Sequence, residues 1–177
     1  MAARPRPRPR EDGSVSLHVV SSADTDDLRS FLRESDLTLA GLDDDAVRLW
    51  VERDPEGIII GSTGLELSAD GRHALIRSVA VAPGRRAAGA GSRLARHALD
   101  RAARAGAERA WLFSRRSGPF WQRLGFAVAD RHARAAALPD ARQVRSFTET
   151  GQLDREVAWS RTLHDLSPHP ERRDGDR

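Results

Sequence analysis

The stretch V-A-V-A-P-G-R-R-A-A-G-A-G-S-R-L at 79–94 restricts the folds open to this chain more than any other. Val79 and Val81 are β-branched residues suited to a strand. Pro83 and Gly84 break that strand. Gly89 and Gly91 let the backbone approach a ligand with no Cβ in the way. From Leu94 onward, apolar residues recur at helical spacing. A helix that opens directly after such a loop turns unpaired N–H groups and its positive dipole end outward, where a phosphate or pyrophosphate can sit. The segment therefore predicts strand, turn and helix around an anion-binding loop.

Two common forms of such a loop are excluded. A P-loop requires Gly-Lys followed by Ser or Thr, and the chain has no lysine. The dinucleotide fingerprint G-x-G-x-x-G belongs after a first strand, with an acidic residue about 20 positions later. Here the pattern is R-x-x-G-x-G, at Arg86, Gly89 and Gly91, and it follows a strand in mid-chain.

The flanking sequence supplies the frame. V-S-L-H-V-V at 15–20 alternates and predicts a first strand. Ser21, Ser22 and Asp24 offer N-caps to a helix with Leu28, Phe31 and Leu32 on one face. Strands are expected at 46–53, 58–67 and 73–81, joined by the turns D-P-E-G at 54–57 and A-D-G at 69–71, which makes an antiparallel meander. A helix over about 90–105 follows, with Leu94, Ala95, Ala98, Leu99 and Ala102 in one stripe. The apolar run A-W-L-F-S at 110–114 predicts a buried strand parallel to 73–81. Ser117 can cap a short helix bearing Phe120, Trp121 and Leu124, ended by Gly125 before a strand at 126–128. A short helix over A-R-Q-V-R-S-F and a last strand at 156–163 complete the order β-α-β-β-β-α-β-α-β-(α)-β. Residues 1–13 alternate Arg and Pro and are expected to be a disordered arm. The same holds for the His-, Pro- and Arg-rich tail at 164–177, which leaves one domain over 14–163.

The R-x-x-G-x-G loop, its lead-in Val81-Ala82-Pro83 and the string F-W-x-x-L-G-F at 120–126 resemble the GCN5-related N-acetyltransferases (the GNAT superfamily) over about residues 15–163. G-L-E at 64–66 and R-S-V-A-V at 77–81 are most similar to the arsenic-resistance-type N-acetyltransferase branch, although 138–163 lacks that branch's L-C-P-x-S-A segment. The resemblance implies an α/β (α+β) fold: a mixed, mostly antiparallel sheet of six to seven strands, flanked by about four helices, with a splayed central strand pair. It also implies transfer of an acetyl group from acetyl-CoA to the amine of a small molecule, such as an amino acid or analogue, by direct attack. A non-catalytic acyl-CoA-binding domain of the same fold is the alternative.

The site residues follow from that likeness. The coenzyme is expected along Val79, Ala80 and Val81 and around Arg86, Ala87, Ala88, Gly89, Ala90, Gly91 and Ser92. The backbone N–H of Val81, or of a close neighbour, would polarise the thioester carbonyl. Glu66 is the first candidate for the base, with a rim carboxylate paired to Arg77 or Arg48 as the other reading. Glu52, Glu156, His73 and His97 are further candidates. Many members of the family place a tyrosine before L-G-F. This chain has no tyrosine, so Ser114, Ser117 or solvent would protonate the leaving thiolate. Arg77 and Arg145, with Arg142 as a further choice, are candidates to bind a substrate carboxylate.

Composition narrows the rest. There is no cysteine, so neither a disulfide nor a thiolate site can form. All 29 basic residues are arginine, yet the net charge is only +3 and four of those arginines lie in residues 1–10. The body of the chain is therefore close to neutral, unlike a nucleic-acid-binding surface. No apolar run reaches the roughly 20 residues of a membrane span, and no apolar signal segment follows the basic N-terminus. The expectation is a cytoplasmic monomer or homodimer that needs no metal.

Overall fold

The computed structural model describes residues 16–86 and 89–163. The arm at 1–13, the tail at 164–177, and Ala87 and Ala88 of the loop lie outside the described residues. The fold is a seven-stranded sheet with helices on both faces. Its elements are β1 (Leu17–Val19), α1 (Thr25–Glu34), β2 (Val47–Arg53), β3 (Ile59–Leu67), β4 (His73–Val81), α2 (Ala90–Arg104), β5 (Arg109–Phe113), α3 (Gly118–Arg123), β6 (Ala127–Ala129), α4 (Arg131–Ala137), α5 (Arg142–Glu149) and β7 (Ala158–Thr162).

Strand order is β1-β2-β3-β4-β5-β7-β6. Strands β1 to β4 pair antiparallel throughout; short turns join β2 to β3 and β3 to β4, and α1 lies between β1 and β2. The pair β4–β5 is parallel, because the α2 crossover returns the chain to the same end of the sheet. Strand β7 comes back between β5 and β6 and pairs antiparallel with both.

Each face carries its own core. On one side, Trp50, Leu65, Ala74 and Ile76 pack against Ala95, Ala98, Leu99 and Ala102 of α2 and against Trp121 of α3. On the other, Leu28, Phe31 and Leu32 of α1 cover Leu49, Val51, Ile59 and Ala80. Leu75 and Trp111 lie on that same side beneath Leu138, Ala141 and Val144. A strand buried on both faces must be apolar along most of its length, and A-L-I at 74–76 is. Helix α4 is an element that the order expected from the sequence does not contain. Asp130 caps it, its side chain accepting from the Ala133 N–H at 2.7 Å, and R-H-A-R-A-A-A supplies strong helix formers.

The β3–β4 ladder slips by one residue in its middle. Ser62 opposes Ala80 and Gly64 opposes Arg77, so Ser78 and Val79 together face Thr63. Ser78 takes φ = 56°, a left-handed conformation that costs any non-glycine residue. Its carbonyl accepts a 2.6 Å hydrogen bond from the buried Ser62 hydroxyl, which helps to hold it there. The bulge inverts the side-chain alternation, so that Ala80 lands on the α1 face, two positions after the break.

Close packing of the meander is tested at Gly64. A Cβ there would stand 2.6 Å from Leu49 Cδ2 and 2.9 Å from the Arg48 carbonyl oxygen. Gly64→Ala is expected to lower stability by about 1–3 kcal/mol through overpacking. The denaturation midpoint measures this, and an unchanged midpoint would show that β2 and β3 are not this close.

Candidate functional site

The sheet opens where β4 leaves β5. Only His73, Ala74 and Leu75 pair with Arg109, Ala110 and Trp111. From Ile76 to Val81 the strand has no neighbour on that side, and Leu112 and Phe113 pair only with β7. This is the splayed central strand pair that the family resemblance implies.

The backbone groups bordering the gap can be assigned by hydrogen-bond parity. The Ala82 N–H donates to the Ile60 carbonyl on β3 at 2.9 Å. No cis peptide occurs among the described residues, so the Val81 carbonyl of the same unit points away from β3, into the gap. The Arg86 Nε–H reaches it there at 3.3 Å. Antiparallel alternation then makes Gly61 and Val81 a non-hydrogen-bonded pair, so the Val81 N–H also faces the gap. The Ser78 carbonyl is held toward β3 by Ser62, so the Val79 N–H of the same trans peptide points away from β3, into the gap. A row of unpaired backbone groups thus lines the opening.

Helix α2 begins at the mouth of this gap. Its N-cap, Gly89, has φ = 87°, which favours glycine on conformational grounds, since a Cβ there would meet nothing within 4 Å. No side chain caps the helix, and Arg93 makes the first intrahelical bond, back to the Gly89 carbonyl. Among the described residues nothing pairs with the N–H groups of Ala90, Gly91 and Ser92, and the helix dipole stands behind them. Arg85 stands 4.0 Å from Asp54, and Arg93 pairs with Glu52 at 2.9 Å.

A single open cavity of about 750 Å³ joins these parts. It runs from Arg86, Gly89, Ala90, Gly91 and Ser92, past Val79, Ala80 and Val81, to Ser114 and the ends of α1 and α5. Every candidate coenzyme residue that is described lines it, and so do Ser114 and Arg77. Ser114 is held by its backbone: its N–H donates to the Val157 carbonyl at 3.0 Å, and its carbonyl accepts from Trp159 Nε1 at 2.8 Å. Its hydroxyl oxygen accepts from the Ser117 N–H at 3.1 Å.

The two substrate-side expectations separate. Arg145 lines a smaller recess with Pro139, Val144 and Glu149, away from the main cavity, because Gln143 and Phe147 are the residues on the cavity face of α5. Glu66 lies behind the cavity wall. It is only 2 % exposed, accepts from the Arg142 N–H at 2.7 Å and stands 3.5 Å from Arg77 Nη1. Of the two readings of Glu66, this geometry matches the paired carboxylate, with Arg77 as its partner. Burial raises its pKa above the usual carboxylate value, while the Arg142 N–H and the Arg77 charge oppose that rise. Burial likewise lowers the Arg77 pKa, with Glu66 opposing. Arg77 also donates through Nη2 to the Ala40 carbonyl.

Two carboxylates line the cavity: Asp36, which pairs with Arg116 at the exposed rim, and Glu156, 7 % exposed, with Gln152 Nε2 at 3.0 Å and Arg115 Nε at 3.4 Å. Glu52 is tied to Arg93, and His97 packs edge-on against Trp50 within the core. His73 Nδ1 accepts from the Trp111 Nε1–H at 3.1 Å, at the paired end of β4 and β5. Beneath Phe113, Arg134 is completely buried and stacked on the ring, and burial pushes its pKa down to about 9. Nothing in the sequence pattern sets Arg134 apart from the other arginines. Among the described residues no His, Asp and Glu cluster could hold a metal ion, and no helix is long and apolar enough to cross a membrane.

Residues 17–126, more than half of the 177-residue chain, match the model of the acetyltransferase (GNAT) family. No curated protein matches the chain in sequence. Among solved structures, Tetrahymena GCN5 is similar with a TM-score of 0.65 at 13% identity, over 87% of this chain and 99% of that one. An acetyltransferase of the GNAT family from Staphylococcus aureus Mu50 gives 0.64 at 13% identity, over 84% and 99%. N-acetylglutamate synthase from Neisseria gonorrhoeae, complexed with coenzyme A and N-acetyl-glutamate, gives 0.63 at 19% identity. That match takes in 84% of this chain and only 35% of the synthase, so the chain spans about a third of that protein's length. Identities this low speak for the fold alone. With the family model covering the meander, the glycine loop and the L-G-F ending, the chain belongs to the acetyltransferase (GNAT) family.

Proposed function

We propose that the protein is an N-acetyltransferase that moves an acetyl group from acetyl-CoA to the amine of a small molecule, an amino acid or analogue, by direct attack. The observation that carries this reading is the continuity of one cavity from the N–H groups that open α2 to the unpaired edge of β4. A pyrophosphate suits the N–H groups from Gly89 to Ser92, with Arg86 beside them, and Ala87 and Ala88 belong to the same coenzyme-binding stretch of sequence. A pantetheine arm, which carries amides, fits the edge of Val79, Ala80 and Val81 as an added strand.

The chemistry then divides among this chain's own groups. The Val81 N–H, fixed by the ladder and already pointing at the gap, donates to the thioester oxygen as negative charge grows there. The amine nitrogen forms the C–N bond, the C–S bond breaks, and the amine's proton must leave. Glu156 is the carboxylate placed to take it, directly or through water. Glu66, with both oxygens engaged, serves instead to position Arg77. Ser114 is the candidate to donate a proton to the departing thiolate. A thiolate is a good leaving group, so the absence of tyrosine does not remove the reaction's driving force.

Turnover is tested by following free thiol release from acetyl-CoA against amino acids, simple amines and arsenical analogues. Acceptor-dependent release is expected; coenzyme binding with no release on any acceptor would favour a non-catalytic acyl-CoA-binding domain. Gly89→Glu should abolish coenzyme binding in calorimetry, by charge and by loss of the left-handed cap, while circular dichroism stays native. Retained binding would contradict the loop assignment. Glu66→Ala leaves Arg77 buried without its counter-ion and is expected to cost about 3–5 kcal/mol of stability. Because the Glu66 pKa is raised on folding, its contribution is fully present below its usual value of 4.5 and fades as pH rises through the folded value. Glu66→Gln should remove that pH dependence from the stability profile. An identical profile would show that Glu66 is not the buried titrating group.

A further inference from the structure

We infer that the acceptor is a compact primary amine carrying an aromatic ring, with the ring against Leu37 and Phe113 and the amine at Glu156. The inference deepens the acetyltransferase reading and rests on it. It starts from the two faces of the sheet that the cavity joins. Helix α2 and Phe120 lie on the face packed by Trp50 and Ile76. A Cβ on Gly91 would stand 3.5 Å from the Phe120 ring, so that ring borders the first turn of α2. Leu37 packs with the α1 core and Phe113 with the core of Leu75 and Trp111, both on the opposite face. Gly91, Phe120, Leu37 and Phe113 all line one cavity, which therefore passes through the gap beside β4. A coenzyme held by α2 and the β4 edge fills the first mouth. The acceptor must then approach from the second.

Strand alternation gathers the groups of that second mouth. Val157 and Trp159 pack on the α2 face. Glu156 has an extended backbone, so its side chain takes the other face, the one that Phe113 takes. Phe113 opposes Ala158, which puts Glu156 two residues, or about 7 Å, further along that face. An ammonium group two or three carbons from a ring spans this interval and can donate to the carboxylate. The apolar part of the mouth consists of Leu37 and Phe113, both only partly buried. Phe113 is fixed by the Phe147 ring at 4.8 Å and by the Arg134 guanidinium, 2.8 Å over its own ring. Apolar surface held this rigidly favours a flat apolar group, which gains by buried area and by aromatic contact. The two cations at this mouth, Arg115 and Arg116, already pair with Glu156 and Asp36. A ligand carboxylate therefore adds little, and the ring sorts the acceptors.

Selectivity is measured with the full chain, acetyl-CoA and two matched sets of acceptors. One set compares L-phenylalanine and L-tryptophan with L-alanine; the other compares phenylethylamine and tryptamine with ethylamine. In at least one set the aromatic acceptor should be better by about ten-fold or more in kcat/KM, the worth of a buried ring contact. Comparison of the two sets then tells whether the ring arrives on an amino acid or on a plain amine. Phe113→Leu keeps an apolar side chain and removes the ring. It should raise the KM of the best aromatic acceptor by about five-fold or more, while the acetyl-CoA KM stays within about two-fold. Aliphatic acceptors as good as their aromatic counterparts in both sets would overturn the inference, and so would an unchanged aromatic KM in Phe113→Leu. Turnover of aliphatic acceptors alone would overturn it and leave the acetyltransferase reading standing. Coenzyme binding with no thiol release on any acceptor would overturn both. The wild-type comparison decides the question even if Phe113→Leu does not fold.

Discussion

Two residues against one, Ser78 and Val79 opposite Thr63, set the rest of the site. An uninterrupted β4 would keep one alternation from His73 to Val81 and could go on pairing with β5. The bulge adds twist and turns the strand's second half. The neighbouring pair closes after three residues, and the edge from Ile76 to Val81 is left with polar groups that no strand satisfies. The left-handed Ser78 is held against its intrinsic cost by the Ser62 hydroxyl below it and by packing on both faces. The opening is therefore built into the ladder and does not depend on a mobile segment.

Around that opening the protein arranges buried charge in two ways. Glu66 and Arg77 form a closed pair within the wall, with the Arg142 N–H and the Ala40 carbonyl taking up further valences. Such a pair is expensive to desolvate and stays ionised only while both partners remain. It ties β3 and β4 to the segment before β2 and to the start of α5. Glu156 differs: it faces the cavity and keeps accepting capacity in hand. Glu66 on β3 and Glu156 just before β7 are thus distinguished by which of them reaches the open space.

Much of this was legible in the sequence, and for identifiable reasons. The meander, the α2 stripe and the β5 run follow from periodicity and turn residues, which act locally. The glycine loop could be read because Gly89 needs a positive φ and because its spacing excludes other phosphate loops. Glu66 and Arg77 could be paired as one of two alternatives, but which carboxylate meets the cavity depends on how α5 docks, and R-Q-V-R-S-F carries no mark of that. The same docking turns Arg145 to the outer recess and Gln143 inward. Helix α4 was within reach, since Asp130 before an alanine-rich run is a capping signal. The bulge at Ser78 was not, because nothing in R-S-V-A-V demands a left-handed serine. The place of β7 between β5 and β6 is likewise a tertiary choice.

The central claim is that the edge of β4 beyond Leu75 is a ready-made docking edge for an acyl-CoA. Amide hydrogen exchange at single-residue resolution tests it most directly, in the free protein and with acetyl-CoA bound. The Ala80 N–H, facing β3, should be protected in both states. The Val79 and Val81 N–H groups should exchange rapidly in the free protein and become protected when the coenzyme is present. Exchange at Val79 and Val81 that does not change on coenzyme binding would contradict the account.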